Sequence, residues 1–424
     1  MLIRNATLAG GQHRDVRVSR ERIAAVEPTL EPTTGERVID ATGKRLLPGI
    51  IDVHVHIREP GFEHKETWKS GTQSAAAGGV TTVVDQPNTD PPTTDGPGFD
   101  EKRTCADDAR VDFGINGGVT EDWDGDALFD RPLFALGEIF LADSTGEMSI
   151  SESLFVDALK QARDHGVPVT VHAEDDSRFD PSAKERDDAD AWSAYRRADA
   201  EIEAVRRACT LAREHDTRIH VAHATTPESI DAAARTGSTC EVTPHHMFLS
   251  RADLKELGTY GRMNPPLRRE RHRQRVFQRV IDGTVDIVAS DHAPHTSEEK
   301  DVGIWDAPSG VPGVETTLPL LLAEAHRGAI GYERVRDLTA RNPSAIFNLE
   351  RKGGVSEGMD ADLVLVTPDA VETIRAENLH TKCEWTPFEG WDAVFPDWTM
   401  CRGQFVYRRE EDSFETIRAE NVRE

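Results

Sequence analysis

The sequence lacks any run of 18 uncharged apolar residues, the length that a membrane-spanning helix needs. Residues 1–5 also lack the basic start and the apolar stretch of a secretory signal. Cysteine is rare: the five cysteines are scattered, odd in number, and not spaced as metal ligands. We therefore expect a cytoplasmic protein with reduced thiols and no membrane association.

Positive charge, and lysine above all, is in short supply. The chain has 76 acidic and 50 basic residues, a formal net charge of −26, and only 10 of the basic residues are lysines. Such a charge repels nucleic acids, so we expect no nucleic-acid partner. An acidic, lysine-poor surface suits a cytoplasm at high salt, where charge repulsion is screened. We interpret the composition as halophilic adaptation; an ordinary acidic bacterial enzyme is the alternative.

The chain also has no glycine-rich phosphate loop and no dinucleotide fingerprint, so nothing indicates a nucleotide cofactor. What it does contain is a regular alternation of strand-like apolar runs and helical patterns. The predicted strands are 48–56, 80–86, 111–117, 133–141, 167–172, 218–223, 239–243 and 285–290. Helices are predicted at 66–78, 151–165, 196–215 and 227–236. Eight such units predict an α/β fold, a TIM-like (β/α)8 barrel.

Both ends of the chain have a different residue pattern, with short alternating apolar and polar segments typical of antiparallel strands. We expect the two ends to form one small β-sandwich domain beside the barrel. The predicted boundaries are 1–47 for the first part of the sandwich, 48–350 for the catalytic barrel and 351–424 for the second part. The sequence leaves open whether the chain forms a homo-oligomer.

His54 and His56 are the most informative residues, because they follow an apolar run that predicts a buried strand. Alternate side chains of a strand share a face, so the two imidazoles point the same way. Two imidazoles on one face can chelate a metal ion, whereas a hydrogen-bonded polar pair in a loop is the structural alternative. Further donors lie at the ends of other predicted strands: His172, His223 and Asp291. Active sites of such barrels lie at this end of the strands.

Imidazole and carboxylate ligands suit zinc, and five donors exceed what one ion needs. Two ions per chain require a bridging group. Glu138 is the only charged residue of the predicted fourth strand, where burial without a cation is costly. Asp143 is the competing bridge, and a buried pairing of Glu138 with an arginine is the structural alternative. His220 lies three residues before His223, so it faces away from the predicted metal site.

Several motifs together resemble the dihydroorotases of the metal-dependent amidohydrolase superfamily. They lie at 47–61, 78–89, 241–246, 263–268, 290–295 and 354–363. The resemblance implies that His54, His56, His172, His223 and Asp291 hold the metals, and that Asp291 is also the general acid and base. Many relatives have a carboxylated lysine as the bridge; here Glu138 occupies the matching position, which is the one clear departure.

The resemblance also implies a small-molecule substrate and its contacts. It implies the reversible cyclisation of N-carbamoyl-L-aspartate to (S)-dihydroorotate, with release of water, in pyrimidine biosynthesis. Arg58 follows His56 by two residues, and its guanidinium fork matches a carboxylate. The implied substrate residues are His56, Arg58, Asn88, Asn264, His295, Ser309 and Gly310, with Arg58, Asn88 and His295 on the carboxylate, and Asn264 and backbone groups near Ser309 and Gly310 on the ring.

Three alternatives stay open at this point. Allantoinases and dihydropyrimidinases share the metal ligands and the sandwich domain, but their substrates have no ring carboxylate and would leave Arg58 without a role. A non-catalytic dihydropyrimidinase-like protein would keep the fold and lose metal ligands. All five predicted donors are present here, which argues against that alternative.

Overall fold

The computed structural model describes residues 1–144 and 148–424. Eight strands, one for each predicted strand, run parallel to their neighbours at its centre. In chain order, barrel strands 1–8 are Ile50–Val55, Val80–Asp85, Asp112–Ile115, Leu136–Phe140, Val169–His172, Ile219–Val221, Thr239–Val242 and Ile287–Val288. They are shorter than predicted because the apolar runs extend past the hydrogen-bonded ladders: Leu133 and Phe134, for example, are buried but precede strand 4.

Two short parallel bridges join the sheets that these strands form. Barrel strands 1–3 make one sheet and strands 4–8 another. Gly117 bridges to Leu136 between strands 3 and 4, and Val55 bridges to His292 between strand 1 and the segment after strand 8. The amide of His56 also donates to the carbonyl of His292 at 2.7 Å. The predicted fold class, a (β/α)8 barrel, is therefore confirmed.

Helices connect successive strands and cover the barrel. The α-helices are Trp68–Ala77, Gly96–Cys105, Gly125–Phe129, Glu152–His165, Asp190–Tyr195, Ala198–Glu214, Pro227–Thr236, Pro244–Phe248, Leu254–Leu257, Glu270–Asp282, Ser297–Lys300, Thr317–His326, Tyr332–Arg336 and Asn342–Ile346. Helix Pro227–Thr236 shows why its bounds were predictable: the Thr226 hydroxyl caps its start, and Gly237, with φ of 76°, ends it. Within the two described ranges, none of the helices has the length and apolarity to cross a membrane.

Strands from both chain ends meet in a nine-stranded sheet. Its members are Leu2–Leu8, His13–Ser19, Arg22–Glu27, Val38–Asp40, Arg45–Pro48, Leu363–Val366, Pro396–Cys401, Gln404–Arg408 and Ser413–Phe414. Strands Arg45–Pro48 and Leu363–Val366 pair antiparallel, which joins the N-terminal and C-terminal parts. A separate apolar core, distinct from that of the barrel, packs against this sheet. We retain 1–47, 48–350 and 351–424 as proposed boundaries.

Candidate metal centre and substrate site

His54 and His56 lie at the end of barrel strand 1, with ring centroids 5.3 Å apart. One nitrogen of each ring is held by a neighbour: Nδ1 of His54 lies 2.5 Å from Oε1 of Glu241, and Nδ1 of His56 lies 2.7 Å from Oδ1 of Asn88. The two Nε2 atoms face Asp291, at 3.6 Å and 3.2 Å from its Oδ1. The strand thus directs both rings into one buried space.

The carboxylate of Glu138 lies among three histidines. Its Oε1 is 2.6 Å from Nε2 of His223 and 3.0 Å from Nδ1 of His172, and its Oε2 is 3.4 Å from Nε2 of His54. All four side chains are buried. Strands 1, 4 and 5 and the segment after strand 6 therefore bring their polar side chains to one point.

This cluster has the donor chemistry of a divalent-metal site. His54, His56 and Asp291 form one set of buried donors, and His54, Glu138 and His223 form a second, each within 4.8 Å. Nε2 of His54 is buried and has no hydrogen-bond partner among the described residues. Metal-binding histidines characteristically have their other nitrogen held by a carboxylate or carbonyl, as Glu241 holds His54. The residues present fit a metal ion.

The pKa values of the clustered side chains also favour a bound cation. Burial opposes the charged form of Glu138, but the imidazoles of His54 and His223 hold its pKa well below its ordinary value. Burial likewise opposes protonation of His54, yet Glu241 and Glu138 raise its pKa well above the ordinary value. The pKa of His172 rises to about 9, against burial, through Glu138 and Glu174. The carboxylates thus attract positive charge, which metal ions supply at such sites.

Glu138, rather than Asp143, faces the histidines. The side chain of Asp143 is exposed, and its Oδ1 accepts a hydrogen bond from the amide of Ser149 at 3.0 Å. The residue before Glu138 is Gly137, whose φ is 133°. A Cβ at position 137 would collide with Thr170 on the neighbouring strand, so the backbone that positions Glu138 requires glycine here. Among the two predicted candidates for a bridge, only Glu138 has the required placement.

Three predicted site residues have a left-handed backbone, which non-glycine residues rarely adopt. The φ angles are 70° at Arg58, 33° at His223 and 45° at Asp291. Such conformations cost roughly 1–3 kcal/mol each and occur often at active sites. Each residue lies just beyond the end of a barrel strand, where the backbone turns its side chain toward the centre.

Arg58 and His295 form the second part of the site. Nη2 of Arg58 lies 3.2 Å from Nε2 of His295, and Nε of Arg58 donates to the carbonyl of Pro294 at 3.3 Å. The side chain is buried, and it has no carboxylate partner among the described residues. Burial lowers its pKa to about 10, so the guanidinium is still charged at neutral pH.

A cavity joins both parts of the site. Its lining residues are His56, Arg58, Asn88, Glu138, Phe140, Ser144, His172, His223, Asn264, Asp291, Ala293, Ser309 and Gly310. Two predicted site residues lie just behind this surface: His54 contacts Glu138, and His295 contacts Arg58. The amide of Asn264 is held by Ser144 at 3.1 Å and by the indole N–H of Trp192 at 3.0 Å. The structure thus brings together every predicted site residue.

Sequence reasoning missed the residues that orient the histidines. Glu241 accepts from His54 and His220, and Glu174 lies 3.1 Å from Nε2 of His172 while it also pairs with Arg196. His220 faces Glu241 rather than the cavity, as its position in the strand predicted. Glu241 is the only charged residue of strand 7, the same signal that singled out Glu138 in strand 4. A single charged residue within a predicted strand is therefore a signal that could have identified Glu241 from the sequence.

A parallel barrel that gathers imidazoles and carboxylates at one mouth has the architecture of a metal-dependent hydrolase. The model of the dihydro-orotase-like family matches residues 43–229. A dihydroorotase from Halobacterium salinarum is 59% identical over 100% of both chains. One from Methanosarcina acetivorans is 42% identical over 93% of this chain and 89% of that protein. The chain belongs to the dihydroorotase family and is a cyclic amidohydrolase.

Solved structures agree with the fold. The L-hydantoinase (dihydropyrimidinase) from Arthrobacter aurescens is 27% identical, covers 98% of this chain and 97% of its own, and superimposes with a TM-score of 0.93. The similarity to a Halobacterium protein also accords with the acidic, lysine-poor composition. The resemblance predicted from the sequence motifs is therefore confirmed at the level of the family, and the enzyme uses a metal cofactor.

Proposed function

We propose that this dihydroorotase binds its substrate between the histidine–carboxylate cluster and Arg58, and that it interconverts N-carbamoyl-L-aspartate and (S)-dihydroorotate there. The observation that carries the proposal is the buried guanidinium of Arg58, which has no carboxylate partner among the described residues. An unpaired buried charge is costly, and a substrate carboxylate would compensate it. Allantoin and dihydrouracil have no carboxylate and would leave it unpaired.

Several further contacts support this placement. Asn88 lines the same cavity as Arg58, and His295 lies beside the guanidinium. We assign Arg58, Asn88 and His295 to the substrate carboxylate, with His295 acting through the guanidinium of Arg58 that it lies beside. Asn264 and the backbone near Ser309 and Gly310, also on the cavity surface, are assigned to the pyrimidine ring. Arg58 would bind the carboxylate through two parallel N–H groups, which fixes the orientation of the ring.

The proposed cofactor is zinc, with two ions per chain. His54, His56, His172, His223 and Asp291 would hold the ions, and the Glu138 carboxylate would bridge them. Support comes from the two overlapping donor sets that share His54, and from the central position of Glu138. When bound, such ions lower the pKa of water toward about 7 and polarise a carbonyl group.

Asp291 is the proposed proton carrier. Burial opposes its ionised form, yet the neighbouring His56 and His54 hold the pKa of Asp291 below its ordinary value, so the group is an ionised carboxylate, the form that a proton acceptor must have. In the hydrolytic direction it would take a proton from the attacking water and deliver it to the leaving ring nitrogen. In the reverse direction the same carboxylate would remove the proton from the nitrogen that closes the ring.

A chelation experiment with three substrates tests this function. The protein is stripped of metal at high salt and reloaded with zinc or magnesium, and turnover of dihydroorotate, allantoin and dihydrouracil is measured. We expect zinc to restore turnover of dihydroorotate and not of the other two. Preferred turnover of allantoin or dihydrouracil would contradict the assignment of Arg58, and full activity without metal would contradict the assignment of the metal centre.

A further inference from the structure

His295 has a defined hydrogen-bonding partner at each ring nitrogen. Its Nε2 lies 3.0 Å from the carbonyl oxygen of Ser309, and its Nδ1 lies 3.2 Å from Nζ of Lys65. A carbonyl can only accept a hydrogen bond, and an ammonium can only donate. The ring proton is therefore on Nε2, and Nδ1 is the acceptor.

This tautomer determines what Arg58 can do. Nη2 of Arg58 lies 3.2 Å from the same Nε2 of His295. Because Nε2 carries the ring proton, it cannot accept a hydrogen bond from the guanidinium. That N–H of Arg58 stays available for a ligand. In the opposite tautomer, Nε2 would accept from Arg58, and the guanidinium would be occupied by the protein itself.

A nearby carboxylate favours the opposite tautomer. Oε2 of Glu299 lies 3.6 Å from Nδ1 of His295, so a proton on Nδ1 would find a charged acceptor after a small movement. Lys65 opposes this, since its Nζ lies 3.0 Å from Oε1 of Glu299 as well as close to Nδ1. Burial and the neighbouring cations hold the pKa of His295 well below its ordinary value, so the ring is neutral and carries one proton, on either Nδ1 or Nε2.

We propose that Lys65 is a positioning residue for the substrate carboxylate: by donating to Nδ1 of His295, it keeps the ring proton on Nε2 and a guanidinium N–H of Arg58 free. The inference rests on the proposed role of Arg58 as the carboxylate-binding residue. Lys65 acts through His295 and contributes to binding rather than to chemistry. Its side chain is only 12% exposed, so it is not an ordinary surface lysine.

The test compares Lys65→Met and Lys65→Arg with Lys69→Met, an exposed lysine of the following helix, as the matched control. For Lys65→Met we expect KM for dihydroorotate to rise roughly 10- to 100-fold, as for other residues that orient a ligand-binding side chain, with a smaller change in kcat. Lys65→Arg retains a donor and should recover most of the loss. Lys69→Met should behave as the parent protein.

Histidine 15N NMR of the metal-loaded protein reads the tautomer without any substrate, with His295→Gln to assign the signal. The parent should show His295 protonated on Nε2, and Lys65→Met should shift it toward the Nδ1-protonated ring. An unchanged KM, or a raised KM with an unchanged tautomer, would overturn the proposal. If the parent does not turn over dihydroorotate, the proposed function fails, while the NMR comparison still decides whether Lys65 sets the tautomer.

Discussion

Oε1 of Glu138 lies 2.6 Å from Nε2 of His223, and both side chains are buried at the barrel mouth. The residues are 85 positions apart in sequence and come from strand 4 and from the segment after strand 6. An acid and an imidazole at this distance share a proton unless a cation takes its place. Metal binding should therefore release protons from the cluster, which couples metal affinity to pH.

The first prediction concerns the proton carrier. Asp291→Asn keeps an oxygen that can ligate a metal but cannot exchange protons. Turnover of dihydroorotate should fall roughly 100- to 10,000-fold, the usual contribution of general acid–base catalysis, while much of the metal is retained. Steady-state kinetics and metal analysis on the same sample check this. Turnover within a few-fold of the parent would show that another group moves the proton.

The second prediction concerns the substrate carboxylate. Arg58→Lys keeps the positive charge but removes the planar fork, and losing one hydrogen bond to a charged group costs about 1.5–3 kcal/mol. Hydrolysis of dihydroorotate should fall sharply, whereas uncharged dihydrouracil, where it is used at all, should be little affected. Arg213→Lys, at an exposed position, is the control. An equal loss on both substrates would argue against the contact with the carboxylate.

The third prediction concerns the support of a metal ligand. Glu241→Gln replaces the anionic acceptor of His54 and His220 by a neutral amide of similar volume. Zinc affinity should fall about 10- to 100-fold, because such supporting carboxylates orient the ring and increase its basicity. Competition with a chromogenic chelator measures this, and Glu228→Gln, a surface partner of Arg275, serves as the control. Equal affinities in the two variants would mean that Glu241 is only structural.

A fourth prediction concerns stability and pH. His380 lies between Glu315, at 2.8 Å, and Asp412, at 3.0 Å. Burial opposes its charged form, but these carboxylates raise its pKa above the ordinary value of 6.5. A raised pKa in the folded state stabilises the protein fully below pH 6.5, and the stabilisation is lost as pH rises through the raised value.

His380→Gln should therefore destabilise the protein more at pH 6 than at pH 9. The difference in the free energy of unfolding should be on the order of 1–3 kcal/mol at pH 6, as expected for hydrogen bonds to a charged group. Denaturant titrations at both pH values measure it. A difference that does not change with pH would show that the imidazolium contributes nothing.

The barrel could be predicted because it depends on local patterns. Eight apolar runs separated by helical periods identify the strands, and alternation within strand 1 places His54 and His56 on one face. Alternation cannot predict side-chain direction beyond a strand end. His223 and Asp291 lie there with positive φ, so their positions at strand ends predicted the barrel mouth but not the directions of their side chains.

Contacts between distant segments were not predictable from one sequence. Glu241 holds His54 across 187 residues, and Lys65 reaches His295 across 230. The choice between Glu138 and Asp143 likewise depended on which side chain the folded strand directs inward. Periodicity identifies which residues are buried, but it does not show which of them meet across the barrel.

Glu138 is proposed to bridge two metal ions in place of a carboxylated lysine. Two functional consequences accompany it: activity should not depend on added bicarbonate, because no carbamate has to form, and Glu138→Gln should lower the metal content from near two per chain toward one. Asp143→Asn is the control, since it should leave the metal content per chain unchanged.

Anomalous scattering at the zinc edge, from crystals of the metal-loaded protein, gives the number and the positions of the ions. We expect two peaks about 3.5–4 Å apart, the usual separation in two-metal sites, with the Glu138 carboxylate between them. A single peak, or two peaks bridged by Asp143, would show that Glu138 is not the bridge.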